Sequence, residues 1–187
     1  MAVNHVYQLK IKLLDTQPSV WRRLRVRGSV TFSKLHSVLQ DVMGWDDKHL
    51  YHFQIGDRAF EAPDPEASGE NARRHRLRSL DLEPGYKFLY VYDPGDDWHH
   101  EVTVEGLSAL LPDEDYPICI DGENACPPED CGGPAGYAEI LLALESPDDP
   151  AFRERLEWLD PSFRPTTFDV RATNRILQLA HRRKGAV

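Results

Sequence analysis

The chain has 187 residues, with 22 Lys and Arg against 31 Asp and Glu and 41% apolar residues, a balance that excludes a disordered tail and fits one soluble globular domain. At this length roughly 70% of the unfolded chain's surface can be buried, so a core forms without disulfide or metal staples. No run approaches the ~20 apolar residues of a membrane span, and residues 1–5 carry neither a basic nor an apolar leader; the expectation is a cytoplasmic chain with no membrane contact.

Over residues 7–13, Tyr7, Leu9, Ile11 and Leu13 alternate with Gln8, Lys10 and Lys12, the period of a half-buried strand. The turn Asp15-Thr16-Gln17-Pro18 leads to a second strand over 20–26. It puts Val20, Leu24 and Val26 on one face with Arg22, and Trp21, Arg23 and Arg25 on the other. These two strands are predicted to form a hairpin. Thr31 or Ser33 caps a helix whose Leu35, Val38, Leu39, Val42 and Met43 fall on one stripe, and Gly44 stands where a left-handed C-terminal residue is expected. Strands are predicted over 50–55, 87–93 and 101–105, the last two joined by the turn Asp93-Pro94-Gly95-Asp96-Asp97. Helices over 137–145, 150–159 and 169–181 complete the pattern.

The expected architecture is a single α+β domain over 1–187. It has a mixed β-sheet of about five strands in ββαβββ order with a packed amphipathic helix, followed by a Pro/Gly/Cys-rich loop and C-terminal helices. Within it, residues 62–78 read as an inserted flexible loop, 107–136 as an irregular Pro/Cys-rich segment and 137–181 as helical.

Charge is unevenly spread, with 19 acidic and 2 basic side chains in residues 93–160. Such a block repels phosphate backbones, so nucleic acid is disfavoured as a partner. The basic exceptions are Arg22, Arg23, Arg25 and Arg27 on one strand, the run Arg73-Arg74-His75-Arg76, and the tail His181-Arg182-Arg183-Lys184. Pairing with the acidic block accounts for them without a partner.

The least generic segment is Cys126-Pro127-Pro128-Glu129-Asp130-Cys131-Gly132-Gly133, where prolines restrict the backbone and glycines allow close approach. With Cys119, its thiols are candidates for zinc, although C-x4-C is not the C-x2-C knuckle; the alternative is a stiff loop whose cysteines pack as small apolar groups. Histidines His49 and His52 begin the third strand, and His99 and His100 enter the fifth. On a strand His49 and His52 point apart, so they share an ion only if His49 lies in the preceding turn, and His100 shares the inward face with Val102 and Val104. The candidate metal set is His49, His52, His100, Cys126, Glu129, Asp130 and Cys131, weighed against buried histidines bonded to carboxylates or carbonyls. The turn 93–97 lacks the order of an EF-hand loop. Trp21, Arg23, Trp45, Asp93, Asp96 and Trp98 form a candidate binding surface, although the tryptophans also suit the core. No G-x-S-x-G elbow, Walker loop, dinucleotide fingerprint or H-E-x-x-H helix occurs.

Pro18-Ser19-Val20-Trp21-Arg22-Arg23, Leu35-His36-Ser37-Val38-Leu39-Gln40, Met43-Gly44-Trp45, His49 to Phe53, Tyr92 to His100 and the Cys126 to Gly133 loop, in this order, resemble the plasmid pRiA4b ORF-3-like family. Its members are also described as TnpR-like passengers of insertion elements. The resemblance runs from about Tyr7 to Leu177 and implies an α+β fold and a mobile-element association, but no established activity and no catalytic residues. A serine recombinase needs an N-terminal nucleophilic serine in a doubly wound domain and a basic helix-turn-helix, whereas here the early serines, Ser19 and Ser29, sit in turns at strand ends and the net charge is -9. The first functional reading is a binding or accessory module for a protein or peptide partner. The second is a metal-binding protein, with zinc the candidate cofactor, including a hydrolase in which Glu129 serves as general base. The third is an accessory factor in DNA transactions.

Overall fold

The computed structural model describes residues 5–64, 68–112 and 114–181. Its centre is an eight-stranded sheet in the order β5-β4-β3-β6-β7-β1-β2-β8. Strands β1 (His5–Leu13) and β2 (Trp21–Arg27) form the expected antiparallel hairpin, with Leu9 opposite Leu24 and Ile11 opposite Arg22. After α1 (Phe32–Met43) come β3 (Tyr51–Ile55), β4 (Arg58–Glu61), β5 (Glu70–Asn71), β6 (Lys87–Tyr92), β7 (Trp98–Ala109) and β8 (Ile118–Glu123). Among the described residues only β4 and β5 pair in parallel; the other neighbouring pairs are antiparallel.

The α+β class and the mixed sheet match the sequence reading, whereas five strands in ββαβββ order do not. The three extra strands leave weak patterns. Strand β4 is a four-residue return after a two-residue turn, β5 has two residues, and β8 lies in the segment expected to be irregular, where its pairing with β2 shifts register between Arg23 and Leu24. Residues 62–78, expected to be a flexible insertion, contain β5 and a fully buried Ala72 and Leu77. Of the three expected C-terminal helices, α4 (Val170–His181) falls where periodicity places it, α3 (Arg153–Trp158) follows a short 3-10 turn over Pro150–Phe152, and α2 (Gly133–Glu145) begins four residues early, inside the segment expected to be irregular, with Pro134 in its first turn. Of the basic tail, Arg182 to Lys184 lie outside the described residues. Among the described residues no helix is long and apolar enough to cross a membrane.

One sheet face is the core. Leu9, Ile11, Leu24, Phe53, Tyr90, Trp98, Val102 and Val104 point into it and meet Phe32, Leu35 and Leu39 of α1, Ile140 of α2 and Leu177 of α4. Thr31 caps α1 by accepting from Lys34 N, and Gly44 ends it at φ +83, so the chain turns sharply into Trp45.

Arg22 is a cation within this core, 2% exposed and, among the described residues, in no ion pair. Its Nε donates to Val42 O at 3.0 Å, and Nη1 donates to Trp21 O and Glu123 O at 2.8 and 2.9 Å. The guanidinium stacks 3.8 Å from the Phe168 ring. The cation thus sits at the C-terminal end of α1, where carbonyls lack helical donors, and ties β2, β8 and that end together. Arg22→Met keeps the apolar stem but strands these carbonyls, so it is expected to cost about 3 kcal/mol, read as a lower urea midpoint at unchanged slope. An unchanged midpoint would show that the guanidinium holds nothing.

Candidate functional site

Three loops converge beyond the ends of β3, β6 and β7: the stretch after α1 (residues 44–50), the β6–β7 turn (93–97) and the loop leading into α2 (126–132). They are held by Trp45, which is 6% exposed. Its indole stacks on Tyr92 at 5.1 Å, leans on Trp98 at 5.8 Å and meets the His100 ring edge-on at 5.4 Å, while its N–H donates to Pro127 O at 3.0 Å. Tyr92 extends the join: its hydroxyl accepts from Lys48 N at 3.1 Å and donates to Glu129, whose other oxygen accepts from Asp46 N at 2.9 Å. Burial, then the bond to Glu129, holds the Tyr92 phenol protonated well above its ordinary range.

On this frame His49, Asp93 and Asp130 come together. His49 Nε2 lies 2.8 Å from Asp130 Oδ1 and 3.5 Å from Asp93 Oδ2, and the three donor atoms fall within 4.8 Å of one another. Asp93 and Asp130 take left-handed backbone conformations, φ 55 and 59, which aspartate tolerates. The Asp93 side chain is only 7% exposed; its Oδ1 accepts from Gly95 N, leaving Oδ2 turned to His49. Gly133, at φ +67, lies against the Asp96 carbonyl, where a Cβ would collide, so only glycine lets the two loops close. Asp130 also lines an open groove of about 550 Å³ with Phe152, Arg155 and Trp158.

The other expected ligands lie elsewhere. His49 does occupy the turn before β3, as sharing an ion with His52 would need, but His52 faces the opposite side of the sheet, near Glu61 and His99. His100 is fully buried, its Nδ1 3.2 Å from Tyr90 O and its Nε2 without a partner among the described residues. Cys126 packs against the Met43 sulfur at 3.6 Å, Cys131 faces Gly133 O, and burial pushes both thiols up to about 12 and Cys119 up to about 11. Glu129 has both oxygens engaged in holding the loops. The candidate binding surface divides: Trp45 and Trp98 are core, Asp93 and Asp96 belong to the loop cluster, and Trp21 and Arg23 lie on the outer sheet face. There the Trp21 N–H donates to Glu123, and Arg23 pairs with Glu105 at 2.6 Å and Asp121 at 2.8 Å. Asp93 joins the ligand set from the candidate binding surface, its sequence signal being the three carboxylates of the turn Asp93-Pro94-Gly95-Asp96-Asp97, whereas no local pattern points to Tyr92 or Asp46 as bridging groups.

The model of the plasmid pRiA4b ORF-3-like protein family matches residues 5–172. The chain belongs to that family. A relative, "Uncharacterized protein y4hQ" of Sinorhizobium fredii, is 40% identical over 163 residues, covering 86% of this chain and 84% of its own. The crystal structure of a protein of unknown function, MM3350 from Methanosarcina mazei Go1, superposes with a TM-score of 0.83 at 31% identity, covering 91% of this chain and 98% of that one. In this member of the pRiA4b ORF-3-like family, several of the segments that carry the resemblance, among them His36, Trp45, His49, Asp93 and the Cys126–Gly133 loop, are gathered by the fold at one end of the sheet.

Two outcomes follow from the burial of these groups. With all three cysteines free and buried, a thiol reagent at mildly alkaline pH is expected to label none rapidly in the folded chain and all three in urea; fast native labelling would contradict this placement. Burial also pulls the His100 imidazole down to about 3, so between the ordinary ~6.5 and that value the unfolded chain binds a proton the native one refuses. Stability should fall with falling pH by about 1.4 kcal/mol per unit from this group. Urea midpoints measured at several pH values test it, and His100→Phe should flatten the slope.

Proposed function

We propose that this pRiA4b ORF-3-like protein binds a divalent cation through His49, Asp93 and Asp130. The observation that carries the reading is their spacing. Donor atoms about 2.0–2.2 Å from one zinc ion lie roughly 3 Å apart, and His49 Nε2 stands 2.8 and 3.5 Å from the two carboxylates. A cation also supplies what the buried Asp93 carboxylate otherwise draws, among the described residues, from His49. One imidazole and two carboxylates form a borderline-to-hard donor set suited to zinc, manganese or ferrous iron, and three protein ligands leave positions for water or a bound molecule. The groove that shares Asp130 gives access to them.

Cation binding is the function this geometry supports best. The hydrolytic version is left without its general base, because both Glu129 oxygens are engaged. A peptide partner finds room in the same groove, where Trp158 is half exposed, more readily than on the Trp21 and Arg23 face, whose ion pairs an incoming chain would have to displace.

Calorimetric titration of Zn²⁺ and Mn²⁺ into tag-free, chelator-treated protein tests the reading. One site per chain is expected, weakened at least about tenfold, or 1.4 kcal/mol, by Asp93→Asn or His49→Ala, and retained in Cys126→Ser. Unchanged affinity in both ligand variants would overturn it.

A further inference from the structure

At the far end of α1 a second cavity, of about 180 Å³, lies between the end of β2, the first turns of α1, the Tyr116-Pro117 segment and the end of α4. Twelve residues of helix at 1.5 Å each put it about 18 Å from the Trp45 end, so it is separate from the His49 cluster. Its walls are of two kinds. Val26, Val30, Val38 and Pro117 make an apolar floor, while Arg27 and Lys34 place two cations at its sides.

Among the described residues neither cation is in an ion pair, in a chain of net charge -9. The Arg27 guanidinium lies 5.3 Å from the Tyr116 ring centroid, which steadies it on the cavity wall. Lys34 stands in the first turn of α1, so the helix's positive end adds to the same field. The wall also holds His181, whose side chain is 2% exposed. Its Nε2 is bonded to Asp41, and its Nδ1 is a buried polar atom without a partner among the described residues. Buried polar atoms are ordinarily satisfied, so an orphan beside a cavity marks a group left for a ligand. Asp115 lies on the adjoining recess, and two further carboxylates stand behind the wall already engaged, Asp41 with His181 and Glu114 with Tyr116 and Arg25.

We infer that this cavity binds a small carboxylate with an apolar body, its charge between Arg27 and Lys34 and its body on Val26, Val30, Val38 and Pro117. Burial lowers the His181 pKa, so the free ring, its Nε2 bonded to Asp41, is neutral with Nδ1 a bare acceptor; a carboxylate beside it favours the charged ring, which takes up a proton with the ligand and donates from Nδ1. The cavity is smaller than the ~300–1,000 Å³ of drug-sized sites, which limits the ligand to a short chain or a single ring.

Hexanoate is the probe, titrated into the full-length ¹⁵N-labelled chain and followed by amide chemical shifts, with hexan-1-ol and acetate as comparators lacking the charge and the apolar body. Hexanoate is expected to saturate with a Kd of about 1 mM or tighter, and each comparator to bind at least about tenfold more weakly. Arg27→Gln and Lys34→Gln should each weaken hexanoate about tenfold; Lys34 is exposed, so its variant tests the charge without disturbing the core. Metal titration of both variants should match wild type, which keeps this test independent of the His49 cluster. No saturable binding, equal affinity for hexan-1-ol, or indifference to both substitutions would overturn the inference.

Discussion

The site depends on one indole. Three loops without ladder hydrogen bonds of their own would pay the full entropy of ordering, and Trp45 is where that cost is met. It stacks on Tyr92 from the sheet, touches Trp98 and His100 from the returning strand, and donates to Pro127 of the third loop. Each contact joins a different segment, so the loops order together. Tyr92 repeats the logic with a hydroxyl, taking Lys48 N and giving to Glu129. Arg22 sets the height of the whole arrangement, because its bond to Val42 O fixes the end of α1 from which Trp45 departs.

The acidic middle of the chain acquires a physical role from this geometry. Several of its carboxylates bind backbone amides rather than water: Glu129 takes Asp46 N, Asp96 takes Gly132 N and Asp93 takes Gly95 N. Others neutralise the basic strand, as Glu105 and Asp121 do for Arg23 and Glu114 for Arg25. The remaining basic run stays outside the block: His75 pairs with Glu70, and Arg76 donates to Ser29 O. What is left over is local. Asp93 and Asp130 face His49 with an oxygen each, and Arg27 and Lys34 line a cavity without being in an ion pair among the described residues.

The sequence is legible where one face of an element is buried and the other is wet. The alternation in β1, the stripe of α1 and the Gly44 stop all match the structure because each rests on that contrast. Legibility fails for β5, which is two residues long, and for β8, whose bulge breaks the alternation and whose strand exists because β2 offers it an edge. Site residues fail for a different reason. His49 and Asp130 are 81 positions apart, and no helix or strand period relates them; only the closure of three loops around Trp45 does. Local reasoning therefore favoured the histidine pairs and the C-x4-C spacing, which are close in sequence. The fold instead sends His52 to the outer face and buries His100, Cys126 and Cys131 as core.

A metal centre built from His49, Asp93 and Asp130 makes a spatial claim sharper than any affinity. Crystals grown from protein saturated with Zn²⁺ or Mn²⁺, measured at the metal's absorption edge, report it directly. An anomalous peak about 2.0–2.2 Å from His49 Nε2, Asp93 Oδ2 and Asp130 Oδ1 together is the expected result. A peak bound at His52, His99 or a cysteine instead, or none at the three-loop junction in fully loaded protein, would contradict it.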